Sequence, residues 1–131
     1  MTSTFDVYFA QVLLTAMEVY AMTNKPVLNI VTTQCQPQDE EKFNKWYNEV
    51  HIPMLLKSGC IQRVGRYKVI GEKTALPRYI ALYTFPNYQD FKEFEKGPEL
   101  SAAVKEMTET WGKGIDMVSR VQCEMIKEWQ G

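Results

Sequence analysis

The segment KWYNEVHIP, residues 45–53, holds the only histidine of this 131-residue chain. His51 follows Tyr47 by four residues, so on a helix the two side chains lie on the same side. An imidazole can accept or donate a proton near pH 7, and a tyrosine hydroxyl can donate a hydrogen bond to a substrate oxygen. We therefore take His51 and Tyr47 as candidate catalytic residues. The alternative for His51 is a helix-terminal residue whose charged form the helix dipole favours.

Four further residues are candidates for binding a substrate: Trp46, Tyr67, Tyr83 and Asn29. A buried tyrosine hydroxyl needs a hydrogen-bond partner. If the sheet face that carries Tyr83 looks towards the helices, Tyr83 and Tyr67 could share one pocket with the candidate catalytic residues. Such a pocket suits a planar or aromatic small molecule. Packing in the core is the alternative for Trp46 and Tyr47, and a hydrogen bond at a sheet edge is the alternative for Asn29.

Charged residues near these positions are weaker candidates. Arg63 and Arg66 have opposite parity in a predicted strand, so at most one reaches a given pocket, and we include neither. Glu49 projects from a different side of the helix than His51 and is a poor partner for it. No metal is predicted, because one histidine without a second histidine or a cysteine pair makes no ligand set. No cofactor is predicted.

Composition narrows the possible partners. The net charge is -1, and lysine and arginine are scattered, which argues against nucleic acid. The three cysteines contain no CxxC pair, so neither a disulfide framework nor a zinc knuckle is indicated. We interpret them as free thiols in a reducing compartment, which predicts a cytoplasmic protein.

The N-terminal residues have an apolar run at 7–17. No lysine or arginine precedes the run, acidic residues flank it, and it is too short to span a membrane. Met22 stands directly before the first predicted strand. We therefore predict that residues 1–21 are an extension outside a single domain at 22–131, and that no membrane is involved.

Local patterns predict strands at residues 27–35, 61–72, 78–85 and 117–129. The first helix should run from Glu40 towards His51, with Val50 on its packing face. Pro53 should stop or kink it near His51 and bias Ile52 away from helical geometry, and a short turn could continue through Leu56 until Ser58-Gly59 closes it. Asn87 caps a second helix, which Gly97-Pro98 interrupts and which ends near Gly112. In the last strand, one face should carry Met117, Val121, Cys123, Met125 and Trp129.

The order βαββαβ is that of a ferredoxin-like α+β fold with a four-stranded antiparallel sheet. Two helices cover one face of such a sheet and leave the other bare. Apolar residues point to both sides of the first and third strands, so a monomer would expose an apolar patch. We predict a homodimer that packs through the open sheet face.

Three segments carry a family likeness: FNKWYNEVHIP at 43–53, GCIQRVGRY at 59–67 and PRYIALY at 77–83. They resemble the dimeric α+β barrel superfamily, most of all its EthD-like branch, over residues 27–129. The resemblance implies a small cofactor-independent enzyme of the monooxygenase, isomerase, cyclase or decarboxylase type. Its substrate would be a hydrophobic aromatic or polyketide-like small molecule.

The same superfamily includes proteins with no known activity, so a non-catalytic binding or dimerisation module is the alternative. Its haem-degrading branch places a histidine on a later helix. In this chain the sole histidine, His51, lies in the first helix, which argues against haem degradation.

Overall fold

A computed structural model describes residues 6–8, 10, 24–71 and 73–131. From residue 24 onward the elements are β1 (Val27–Cys35), α1 (Glu40–Trp46), α2 (Ile52–Leu56), β2 (Arg63–Lys68), β3 (Arg78–Phe85), α3 (Tyr88–Lys96), α4 (Pro98–Trp111) and β4 (Ile115–Glu124). A 3₁₀ turn precedes α1, and a π-helical turn at Tyr47–His51 joins α1 to α2.

The described strands form one antiparallel sheet in the order β2-β3-β1-β4. With the helices on one face of this sheet, the predicted α+β ferredoxin-like fold is confirmed. Residues 6–8 and 10 are helical, and the rest of the predicted extension at 1–21 lies outside the described residues. The division into an extension and one domain at 22–131 stays a prediction.

Strand β1 shows the pattern that its sequence predicts. Its odd-numbered residues are buried against the helices and its even-numbered residues are partly buried on the other face. The buried residues are Val27, Asn29, Val31, Thr33 and Cys35. This period of two arises because successive side chains of a strand point to opposite faces. The β-branched residues favour the extended backbone.

The helical segment after β1 continues past His51 to Leu56, in line with the short turn expected there. Ile52 has φ -61° and ψ -46°, so the expected bias of Ile52 away from helical geometry is wrong. The amide of Ile52 donates to the carbonyl oxygen of Tyr47, five residues earlier, which makes the turn a π-turn. Pro53 then occupies the first turn of α2, where a missing N–H is tolerated.

Two predicted strands are too long. Strand β2 ends at Lys68 and β4 ends at Glu124, so the residues around Trp129 form no strand and Trp129 is 75% exposed. A bulge between Thr32 and Thr33 shifts the pairing of β1 with β4. Met117 therefore faces the helices, whereas Val121 faces the open side, against the prediction that both share a face.

The core lies between the sheet and the helices. Phe43 of α1, Phe85 of β3 and Cys35 are its largest fully buried side chains. Burial of each phenylalanine contributes roughly 1.5–3 kcal/mol to folding. Val50, expected on the packing face, is 36% exposed, because the residues of the π-turn do not keep the spacing of an α-helix.

In the part of the chain that the structure describes, the other face of the sheet is partly exposed. It carries Leu28, Ile30, Ile80, Leu82, Val121 and Tyr67. Val121 is 50% exposed and Tyr67 is 56% exposed. The ring of Tyr67 lies across Gly65, where an added Cβ would stand 3.0 Å from Cε2 of that ring.

Candidate functional site

A cleft opens between the π-turn, helix α4 and the helix-facing side of the sheet. It has a cavity volume of about 70 Å³. Its polar lining consists of Asn29, Thr33, Tyr47, His51, Tyr83 and Arg120. Its apolar lining includes Val31, Leu55, Phe94, Leu100, Met107 and Met117. The volume suits a compact ligand, because drug-sized molecules need roughly 300–1,000 Å³.

His51 enters this cleft from the π-turn. Its ring stacks on Trp46 with centroids 4.8 Å apart and meets the ring of Tyr47 edge-on at 4.9 Å. The side chain is only 8% exposed, and no described residue forms a hydrogen bond with its buried Nδ1 atom. A buried nitrogen without a hydrogen-bond partner is unfavourable, so a polar group that pairs with it would be favoured.

The environment of His51 keeps the imidazole uncharged. Burial lowers its pKa from 6.5 to about 4, opposed by the carboxylate of Glu106 and reinforced by the cation of Arg66. At pH 7 His51 is therefore neutral, with one nitrogen that accepts and one that donates a hydrogen bond. A neutral, buried imidazole differs from the charged helix-terminal histidine that was the alternative.

Two buried tyrosine hydroxyls form a pair in the cleft wall. The hydroxyl oxygens of Tyr47 and Tyr83 are 3.1 Å apart, and each side chain is 3% exposed. Burial raises the pKa of Tyr47 and raises that of Tyr83 well above its ordinary value, so both stay protonated. One hydroxyl donates to the other, which leaves a single O–H in the pair for another partner.

Asn29 lies on the sheet floor of the cleft. It is directly opposite Tyr83 in the pairing of β1 with β3 and is 3% exposed. Its Oδ1 accepts a hydrogen bond of 2.9 Å from Nε2 of Gln122 on β4. This contact fixes the orientation of the amide in the middle of the sheet rather than at an edge.

Trp46 is both a core residue and a wall of the cleft. It is 7% exposed, and its Nε1 donates to Oε1 of Glu106 on α4 at 2.8 Å. The other oxygen of Glu106 accepts a hydrogen bond from Thr110. The carboxylate is thereby held against the edge of the indole that stacks on His51.

Tyr67 does not reach the cleft. It pairs with Ile80, so it lies on the open face of the sheet, whereas Tyr79 and Tyr83 face the helices. Arg66, its neighbour, points to the helix side instead. Strand parity could not reveal this, because the register between β2 and β3 depends on contacts that local sequence does not encode.

Sequence reasoning did not include Arg120 and Glu106. Arg120 pairs with Val31 and brings a cation to the exposed edge of the cleft. The alternation in β4 placed Arg120 and Gln122 on one face, but it did not show that this face is the helix side. Glu106 gave no signal, because acidic residues on a helix are ordinary solvent-exposed groups.

Among the described residues, no group of three or more histidine, cysteine, aspartate and glutamate side chains is placed to hold a metal ion. The three cysteines are unpaired: Cys35 is buried and Cys123 is exposed. Within the part of the chain that the structure describes, no helix is long and apolar enough to cross a membrane.

Solved structures with this fold include enzymes and proteins of unknown function. An EthD family protein from Bacillus halodurans C-125 is 16% identical, with 76% of this chain and 99% of that chain covered and a TM-score of 0.58. A hydroxynitrile lyase from Passiflora edulis is 14% identical, with 82% and 99% covered and a TM-score of 0.61. A dimeric protein of unknown function with a ferredoxin-like fold, from Bacteroides fragilis NCTC 9343, is 17% identical, with 79% and 99% covered and a TM-score of 0.57.

At these identities the likeness shows the fold alone, and at that level the expected likeness to an EthD family protein holds. No curated protein shows significant sequence similarity to this chain. Residues 27–122 match the family described as a domain of unknown function, DUF4286. The match extends from the start of β1 almost to the end of β4 and so contains every polar residue of the cleft. This chain is a member of the DUF4286 family.

Proposed function

We propose that this protein is a small cofactor-independent enzyme that moves a proton on a compact, apolar carbonyl or phenolic compound bound in the cleft. One observation carries the proposal: a buried, neutral imidazole with an unpartnered Nδ1 lines the same cavity as a buried pair of tyrosine hydroxyls. A base and an O–H donor in one apolar cavity are the groups that an enolisation needs.

The chemistry assigns a role to each group. The neutral imidazole of His51 takes a proton from the carbon next to the substrate carbonyl. The electron pair of the broken C–H bond forms the enolate, whose oxygen accepts a hydrogen bond from the tyrosine pair. His51 then returns the proton to the same or another carbon. Arg120 at the cleft edge adds a positive charge that favours the anionic oxygen.

The low pKa of His51 comes mainly from its burial. An enolate beside the imidazole raises that pKa, because a nearby negative charge favours the protonated form. Glu106 acts in the same direction. Val104 and Met117 line the cleft and are 44% and 48% exposed, and a ligand larger than the present cavity requires them to shift.

The experiment is hydrogen–deuterium exchange at the α-carbon of small ketones, such as acetylacetone and phenylacetone, followed by proton NMR in D₂O. The wild-type protein should accelerate exchange, and H51Q should return the rate to that of the buffer. Y83F should lower it roughly tenfold through the lost hydrogen bond. E49Q is the matched control, because Glu49 is exposed two residues from His51.

A second candidate is a binding module without turnover, which the weak basicity of His51 favours. In that case the ketones shift the imidazole signal of His51, the only histidine, yet no exchange occurs. Exchange that is equally fast in H51Q would contradict the catalytic role of His51.

The protein acts as a homodimer through the open sheet face, in keeping with the dimeric protein of this fold from Bacteroides fragilis. The support on this chain is the uncovered apolar surface of β1, β3 and β4. We place the protein in the cytoplasm on its unpaired cysteines.

A further inference from the structure

Arg66 of β2 lies against the wall of the cleft without lining it. It pairs with Ala81, so its side chain is on the helix side of the sheet. Its guanidinium carbon is 4.2 Å from the centroid of the Tyr47 ring. The residues that line the cavity do not include Arg66. The cation therefore contacts Tyr47 from outside the cleft.

Two amide side chains hold the guanidinium in place. Nη1 donates to Oδ1 of Asn48 at 2.8 Å, and Nη2 donates to Oδ1 of Asn44 at 3.0 Å. These asparagines are four residues apart and flank Tyr47 on the helical segment. Within the described residues no carboxylate forms an ion pair with Arg66. Its charge is therefore oriented by neutral acceptors and is not cancelled by an anion at contact distance.

A cation over the ring of Tyr47 affects which of the two tyrosine hydroxyls is the better hydrogen-bond donor. It is attracted to the negative face of the ring and favours the phenolate form of the hydroxyl. Burial raises the pKa of both tyrosines, and the cation over the Tyr47 ring opposes that rise. A more acidic hydroxyl is a better hydrogen-bond donor, so the position of the cation favours Tyr47 as donor and Tyr83 as acceptor.

We propose that Arg66 is a positioning residue of the cleft: it fixes the ring of Tyr47 so that this hydroxyl donates to Tyr83, which leaves the hydrogen of Tyr83 for the ligand. The role of Arg66 towards Tyr47 stands on the contacts above. Its consequence for a ligand rests on the proposed function of the cleft.

Other charged groups face the pair from the surrounding elements. Arg120 of β4 acts on Tyr83, and Arg66 acts on both tyrosines. His51 is neutral, and Glu106 of α4 faces it through Trp46. Among these groups, Arg66 is the cation placed over the Tyr47 ring.

The test places a fluorinated tyrosine, which ionises nearer to neutral pH, at position 47 and follows its titration by ¹⁹F NMR. R66M should raise its pKa by roughly one unit, a tenfold change in the ionisation constant. R66K keeps the charge but loses the planar contact with the Tyr47 ring and the paired hydrogen bonds to Asn44 and Asn48. The pKa shift in R66K should therefore be smaller than in R66M. K68M is the matched control, because Lys68 lies over Tyr79 at 5.9 Å instead.

This titration needs no ligand. A shift in R66M no larger than that in K68M overturns the proposal, whatever becomes of the proposed function. If R66M does not fold, R66K and R66Q give the same comparison, and the spread of amide signals in proton NMR reports folding for each variant.

The ligand side is tested with 4-fluorophenol as the probe in binding titrations. Y83F should weaken binding about tenfold, and R66M should weaken it less. The double variant R66M/Y47F should bind no more weakly than Y47F, because Arg66 acts through Tyr47. If the losses of phenol binding in R66M and Y47F added up in the double variant, the claim that Arg66 acts through Tyr47 would be overturned. If wild type does not bind the phenol, the proposed function is weakened, and the ¹⁹F titration still decides the role of Arg66.

Discussion

The imidazole of His51 stacks on the indole of Trp46 at a centroid distance of 4.8 Å and an angle of 27°. The same indole donates its Nε1 hydrogen to Glu106 of α4. One face of the histidine ring is thus covered by the indole of Trp46, which is itself hydrogen-bonded to helix α4. This arrangement excludes water from His51 and, at the same time, brings a carboxylate close enough to influence it.

Stability should fall with acid because of His51. Its pKa is about 4 in the folded protein and 6.5 when unperturbed, so the unfolded state binds the proton more readily. The contribution to stability is fully present above pH 6.5 and is lost as pH falls towards 4, amounting to about 3 kcal/mol. Urea denaturation at fixed protein concentration should show this loss in wild type and a much flatter profile between pH 6.5 and 4.5 in H51Q. If the free energy of unfolding depended on pH equally in wild type and H51Q, the prediction would be contradicted.

The tyrosine pair should be energetically coupled. Y83F leaves the hydroxyl of Tyr47 buried without its partner, and Y47F does the converse for Tyr83. Each should cost about 1–3 kcal/mol in free energy of unfolding. The double variant should cost less than the sum, because no unpaired hydroxyl remains. Urea denaturation measures all three, with Y88F as the control at an exposed tyrosine, where a change within about 0.5 kcal/mol is expected.

Glu106 should support the protonated form of His51. E106Q keeps an oxygen for the indole of Trp46 but removes the negative charge, so the pKa of His51 should fall below its value in wild type. A proton NMR titration of the single imidazole reports this directly. E109Q on the exposed side of the same helix should leave the titration unchanged. An unchanged or raised pKa in E106Q would show that Glu106 has no such influence.

The open sheet face should hold the dimer together. L82D places a charge in the middle of the apolar surface of β3 and should convert the protein to a monomer in light scattering. L56D makes the same change at a leucine of the helical layer that is 45% exposed, and it should leave the mass unchanged. A wild-type monomer, or a dimer that survives L82D, would place the interface elsewhere or remove it.

Local sequence determined the elements and their order. The β-branched alternation of residues 27–35 specified a buried strand, Asn87 capped its helix, and the side chain of Asn87 accepts from the amide of Asp90 as a cap does. The order of the elements then left the ferredoxin-like fold as the natural arrangement. The spacing of Tyr47 and His51 also put both on one side of a helix, where they remain.

Tertiary structure decided which of these side chains meet. The register of β2 against β3 sent Tyr67 to the open face and Arg66 to the back of Tyr47. The bulge in β1 turned Met117 towards the cleft. Both depend on hydrogen bonds between residues far apart in the chain, which a local pattern of alternation cannot specify, since it gives relative sides but not register.

The segment around His51 shows the same division. Its sequence placed a histidine, two aromatic residues and a proline together, and Pro53 predicted a stop or kink with a short turn beyond it. In the structure a π-turn joins the two helical pieces, Leu55 packs in the core, and His51 lies in the cleft. Its neutrality follows from burial among Trp46, Tyr47 and the sheet, a property that exists only once the chain has folded.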